Sequence, residues 1–143
     1  MISKSKVTVR YAETDKMGIV LHSVYPIWCE LARTDLSKQA GFPYSKMEEV
    51  GVMTPLVELN SKYYSPAYYD DNLIVTARVS KLSPARIVFY YEVFKENDMT
   101  KPINTGYTVH ALVNMEMKPI NTKKLFPKIY GSMEKMLEID NLD

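Results

Sequence analysis

Hydrophobic and polar positions along the chain change period several times, and each change marks an element. Over residues 6–11, Val7, Val9 and Tyr11 alternate with polar neighbours, the pattern of a half-buried strand. From Ser23 the period lengthens. Tyr25, Trp28, Cys29, Ala32, Leu36 and Ala40 recur at helical spacing. Ser23 suits an N-cap, Pro26 falls in the first turn, and Gly41 followed by Pro43 ends the helix. A helix of about 17 residues spans roughly 25 Å at 1.5 Å per residue. Ile27 and Leu31 carry apolar character onto its flanks, so other structure is expected to wrap it.

Four strands are expected next. Residues 56–63 set Leu56, Glu58, Asn60 and Lys62 on one side and Val57, Leu59 and Tyr63 on the other, and Pro55 just before them suits a sheet edge. Residues 72–82 alternate through Leu73, Val75, Ala77 and Val79. Residues 86–95 are apolar on both faces, as a central strand would be. Residues 106–117 set Tyr107, Val109, Ala111, Val113, Met115 and Met117 against Thr108, His110, Asn114 and Glu116. His110 is thereby expected at a solvated or dimer surface. The short links 82–85 and 95–98 imply antiparallel pairing. Phe126, Ile129, Tyr130, Met133, Met136 and Leu137, with Pro127 at the start, predict a C-terminal amphipathic helix. The order predicts an α+β fold with one five-stranded antiparallel sheet. One long helix covers one face only, so the other face and the edge strand need a partner, and a homo-oligomer is expected.

The length of 143 residues fits a single domain over 1–143. Eighteen basic against 17 acidic residues leave a net charge of +1, which argues against nucleic-acid or membrane-surface binding. Cys29 is the single cysteine, which excludes an intramolecular disulfide, and with only His22 and His110 beside it no metal site is expected. Cys29 itself reads as a small buried hydrophobe. The first residues lack a signal-peptide core and no run of about 18 apolar residues follows, so a cytoplasmic location is expected. There is no glycine-rich phosphate loop, Gly-x-Ser-x-Gly elbow or His-Glu-x-x-His. The tyrosines at 63, 64, 68 and 69 suit an interface or a pocket wall. Lys118, Lys123, Lys124 and Lys128 form a basic cluster that reads as a solvated face or as an attraction for a ligand's phosphates, partly offset by the acidic tail from Glu134 to Asp143.

The candidate chemistry lies between Tyr11 and Tyr25. Asp15 and His22 fall in a loop that leads into the long helix. A helix start offers unpaired N–H groups and a positive dipole end, which can hold an oxyanion forming on a carbonyl. A nearby carboxylate can activate water or attack directly. The same residues also have a purely structural reading, with Asp15 capping a turn that Gly18 shapes.

The run Thr14-Asp15-Lys16-Met17-Gly18-Ile19-Val20-Leu21-His22-Ser23-Val24-Tyr25, followed by Trp28, Glu30, Ala32-Arg33 and Gly41, resembles hotdog-fold acyl-CoA thioesterases of the 4-hydroxybenzoyl-CoA and Tol–Pal-associated group. The resemblance continues through Thr54-Pro55 and residues 64–71 and covers about residues 5–117. It implies a curved sheet around a central helix, dimers or dimers of dimers, and hydrolysis of an acyl-CoA to free acid and CoA. It implies no cofactor beyond the CoA of the substrate. Carried over, Asp15 is the catalytic base or nucleophile, and the His22 N–H polarises the carbonyl while its imidazole assists. Tyr11, Gly18, Val20 and Tyr25 lie where the family binds substrate. Glu13 and Val24 depart from the usual Asp and Asn, and Met17 from a small residue, which bears on acyl preference. The rival is a non-hydrolytic acyl-CoA or acyl-carrier-protein binding module on the same fold. A hotdog dehydratase would need a His-rich motif that the chain lacks.

Overall fold

The computed structural model describes residues 1–137. Strand β1 (Ser3–Thr8) leads through two short 3₁₀ turns (Tyr11–Glu13 and His22–Val24) into helix α1 (Tyr25–Gln39). A short helix α2 (Tyr44–Glu49) precedes β2 (Leu56–Tyr63), β3 (Asn72–Ser83), β4 (Arg86–Lys95) and β5 (Asn104–Ala111). Helices α3 (Thr122–Leu125) and α4 (Pro127–Lys135) close the described chain. The strands form one antiparallel sheet in the order β1-β3-β4-β5-β2, with β2 at an edge as expected.

All six apolar positions read for the long helix are buried. They pack on Leu73, Val75, Ala77 and Val79 of β3 and on Ile87, Tyr91 and Val93 of β4 in one continuous core. Gly41, at φ +89°, provides the left-handed residue that ends the helix. The N-cap differs from the expectation: Val24 holds that position with no side-chain cap, because Ser23 is taken up in the preceding 3₁₀ turn. The expected wrapping is also incomplete within one protomer. Ile27 is 62% exposed and Leu31 43%.

β1 starts earlier than its valines suggest. Ser3 and Ser5 turn inward because their hydroxyls find acceptors on α1, the Ala32 carbonyl and the Asp35 carboxylate. Tyr11 falls outside the strand. In β2 a bulge lies between Leu56 and Glu58, so Leu56 pairs with His110 while Glu58 pairs with Val109. One extra residue turns Leu56 to the same side as Leu59 and Tyr63, not the side of Glu58.

β5 reverses the expected orientation. Its polar residues Asn104, Thr108 and His110 are the buried ones, facing α1, and Tyr107, Val109 and Ala111 lie on the outer face half-buried. The register explains this: Thr108 pairs with Phe89 and His110 with Ile87, which share the core face of β4. β5 also ends at Ala111. The Asn114 side chain accepts from the N–H groups of Glu116 and Lys118, and Met117 turns the chain at φ +63°. Neither α2 nor α3 is visible as a periodicity, since each is shorter than two turns. Among the described residues no helix is long and apolar enough to cross a membrane. The acidic tail beyond Leu137 lies outside the described residues.

Candidate active site

The loop between β1 and α1 is a tight hairpin. Asp15 N–H donates to Ile19 O at 2.8 Å, Leu21 N–H to Glu13 O at 2.9 Å, and Gly18 N–H back to Asp15 O at 3.0 Å. Gly18 sits at φ +82° with open space around it, so a side chain there would be strained by backbone conformation alone. The Asp15 carboxylate accepts from Met17 N–H at 2.8 Å through Oδ1. The turn-capping reading is therefore true of one carboxylate oxygen. The second oxygen, Oδ2, makes no hydrogen bond among the described residues.

The far side of the hairpin enters the 3₁₀ turn at His22. The His22 N–H finds no acceptor among the described residues, as expected at a helix start. Its imidazole is exposed. The Tyr63 hydroxyl donates to the His22 carbonyl at 2.8 Å, so the edge strand β2 holds this turn from outside. Tyr63 in turn meets the Tyr25 ring edge-on at 5.2 Å.

Glu13, noted in the sequence only as a departure, anchors the whole hairpin. It is 7% exposed. Its carboxylate accepts from Arg10 N–H at 2.7 Å and from the Trp28 indole N–H at 3.3 Å, and it pairs with the Arg10 guanidinium at 3.4 Å. Trp28 belongs to α1, so one buried carboxylate ties the loop to the helix it feeds. No sequence signal marks this role, because Glu13 and Trp28 lie 15 residues apart in different elements.

The expected substrate-binding residues separate into two groups. Gly18 and Tyr11 are at the surface, and Tyr11, 78% exposed, stands edge-on to Tyr69 at 5.7 Å. Val20 and Tyr25 are buried. Val20 packs in the core with its N–H on Ala67 O, and Tyr25 is buried between Trp28 and Tyr63, its hydroxyl pushed up to about 12 chiefly by burial. They shape the loop from behind. Cys29 is buried and its thiol is likewise pushed up to about 12, which makes it inert at neutral pH. Among the described residues no group of His, Cys, Asp and Glu side chains could hold a metal ion.

A second feature lies further along α1. A cavity of about 240 Å³ opens between α1, α2, α4 and the core face of β4 and β5. Glu30, Arg33, Thr54 and His110 line it together with Phe89 and Met133. His110, expected at a solvated or dimer surface, is 3% exposed and forms part of this wall. A shallower groove past Pro26, Ile27, Leu56 and Leu59 shares Glu30 and Arg33 with the cavity.

A five-stranded antiparallel sheet packed on one long helix, with a carboxylate-bearing turn at the helix start, is the frame of the site. The chain belongs to the thioesterase superfamily, whose family model matches residues 17–101, more than half of the chain. It is 37% identical over 135 residues to the Bacillus subtilis (strain 168) protein YneP, which carries an acyl-CoA thioesterase name, covering 94% of this chain and 96% of that one. A solved structure of a DHNA-CoA thioesterase from Staphylococcus aureus superposes with a TM-score of 0.87 at 35% identity, over 94% of this chain and 89% of that one. A protein of Thermus thermophilus, TT1821, gives a TM-score of 0.85 at 34% identity over 96% and 99%. The protein is a thioester hydrolase of the hotdog fold.

Proposed function

We propose that the protein hydrolyses acyl-CoA thioesters, with Asp15 as general base and the His22 N–H as oxyanion donor. The supporting observation is the hairpin itself. It pins one Asp15 oxygen, leaves the other without a protein partner, and delivers the chain into a helix start whose first N–H is unsatisfied. Water attacks the thioester carbonyl and passes a proton to Asp15. The tetrahedral oxyanion is held by the His22 N–H, and its collapse breaks the C–S bond. The CoA thiolate leaves and takes up the proton, so the products are a free acid and CoA. Direct attack by Asp15, through a mixed anhydride, is the variant of the same route. The exposed Lys118, Lys123, Lys124 and Lys128 offer point-charge attraction for the phosphates of CoA.

Thiol release across a panel of acyl-CoAs tests the reading. Asp15→Asn should keep the fold and lower turnover by about 10²–10⁴, the contribution of a positioned base. His22→Ala keeps its backbone donor, so its loss should be near tenfold, below the 10²–10³ expected for loss of one oxyanion donor. Turnover of Asp15→Asn within threefold of wild type overturns the assignment. A larger loss for His22→Ala than for Asp15→Asn would move the chemistry to the imidazole.

The active unit in this reading is a homodimer built through the β2 edge. Leu56, Leu59 and Tyr63 on β2 and Ile27 and Leu31 on α1 form an exposed apolar strip beside an unpaired strand edge.

A further inference from the structure

Asp15 and His22 stand on opposite arms of the hairpin, and Glu13 is bonded to both arms. The arms meet at a bridge between Thr14 and Val20. Its two rungs are Asp15 N–H on Ile19 O at 2.8 Å and Leu21 N–H on Glu13 O at 2.9 Å. Thr14 is extended, with φ −99° and ψ 153°. Asp15 therefore follows Glu13 by one strand repeat, about 7 Å along the chain. At the far end of the Glu13 rung, Leu21 is the residue before His22. A displacement of Glu13 thus changes where the Asp15 carboxylate lies relative to the His22 N–H.

Glu13 and Asp15 are carboxylates two residues apart in opposite states. Both Glu13 oxygens are taken by protein donors. Oε1 accepts from Arg10 N–H at 2.7 Å, and Oε2 accepts from the Trp28 indole N–H at 3.3 Å and from Arg10 Nη2 at 3.4 Å. At 7% exposure Glu13 has no oxygen to offer a water or a thioester, whereas Asp15 Oδ2 has no protein partner. Every neighbour of the Glu13 carboxylate is a donor, so a Gln amide of the same shape would set its NH2 against a donor in either flip. Trp28 lies in the first turns of α1, the helix whose start carries His22. The second arm has ties of its own, from Val20 N–H to Ala67 O and from the Tyr63 hydroxyl to the His22 carbonyl. The first arm reaches α1 through the Glu13 carboxylate.

We propose that Glu13 is a positioning residue for thioester hydrolysis. Through Trp28 it fixes the separation of the Asp15 carboxylate from the His22 N–H, and it does so without touching substrate. The assignment rests on the thioesterase reading of this loop. Water activation and oxyanion stabilisation are realised in the transition state, so a misplaced arm lowers kcat and leaves KM nearly unchanged.

The experiment measures kcat and KM on one acyl-CoA for Glu13→Gln, Glu13→Asp, Trp28→Phe, the Glu13→Gln/Trp28→Phe double variant and Asp15→Asn. Thermal unfolding establishes that each is folded at the assay temperature. Trp28 is the single tryptophan of the chain, so one indole N–H resonance in a proton–nitrogen correlation spectrum reports the Glu13 bond directly. Glu13→Gln should lower kcat about tenfold to a hundredfold, the scale of an arm misplaced by about 1 Å, with KM within about threefold. Its indole resonance should move upfield as the carboxylate acceptor is lost. Trp28→Phe should lower kcat in the same way, and the double variant should lose little more than the worse single one, because both break one bond. Glu13→Asp keeps two acceptor oxygens and should recover part of the kcat that Gln loses. Wild-type kcat in Glu13→Gln overturns the proposal, as does a loss confined to KM or additive losses in the double variant. If Glu13→Gln does not fold, Trp28→Phe, which removes the donor and keeps a ring in the core, decides by the same kcat criterion. An active Asp15→Asn overturns the site reading and the positioning role with it. An inactive Asp15→Asn beside a fully active Glu13→Gln overturns the positioning role alone.

Discussion

At the scale of single residues, two buried polar side chains organise the molecule. Glu13 converts a surface loop into part of the core, because its carboxylate satisfies both an indole and a backbone N–H that would otherwise be buried unpaired. His110 does the same for β5, and it makes stability depend on pH. Burial, together with the positive charge of Arg33, lowers its pKa below 6.5, and the bond to Thr54 only partly opposes this. The unfolded chain therefore binds a proton more readily than the folded one below about pH 6.5. The stability this neutral histidine contributes is present above that pH and is lost as pH falls toward the folded-state pKa. Protonation also turns Nε2 into a donor to Thr108 Oγ1, so the Thr108 hydroxyl proton loses its acceptor on the ring. We expect the unfolding midpoint to fall further between pH 7.5 and 5.5 in wild type than in His110→Gln, as followed by thermal denaturation. Equal falls would show that His110 is not the group responsible.

At the scale of elements, β2 carries more than its position at the edge suggests. It holds the His22 turn through Tyr63 and borders the shallow groove beside α1 through Leu56. Its seat on β5 depends on Gly106. A Cβ built there would lie 2.3 Å from the Asn60 carbonyl oxygen, and backbone cannot swing aside as a flexible side chain can. Gly106→Ala should therefore push β2 away at a cost of roughly 1–3 kcal/mol, the range for overpacking. Urea unfolding reads the loss, and faster amide exchange should concentrate in residues 56–63. An unchanged midpoint would mean that β2 accommodates the methyl without strain. The bulge before Glu58 shows why simple alternation misassigned Leu56: one unpaired residue exchanges the two faces of everything on its N-terminal side.

At the scale of the whole molecule, the apolar strip of Ile27, Leu31, Leu56, Leu59 and Tyr63 asks for a second copy. A stable interface there should bury at least about 1,200 Å² in total. Because Ile27 already faces solvent, Ile27→Lys should cost the protomer little while weakening association and activity together. Light scattering at micromolar concentration, with thiol release on the same samples, decides this. A stable and fully active monomer would overturn the dimer. The local pattern of the chain was enough to determine the order of the five strands and the two longer helices, the antiparallel sheet, the buried stripe of α1 and the edge position of β2. Those features follow from periodicity, and periodicity is written residue by residue. The Asp15–His22 loop could be singled out as a candidate because its residues are nearly consecutive. Tertiary structure alone decided which face of β5 points inward, since the core face of β4 imposes its register on a strand that is polar on that side. It also decided that Val20 and Tyr25 support the loop from within, and that Glu13 meets Trp28. Likewise it brought Arg33, Tyr91, Thr108 and His110 into one chain of hydrogen bonds. Each of those contacts joins residues whose partners become neighbours only when the sheet closes over the helix, and no spacing along the chain records them.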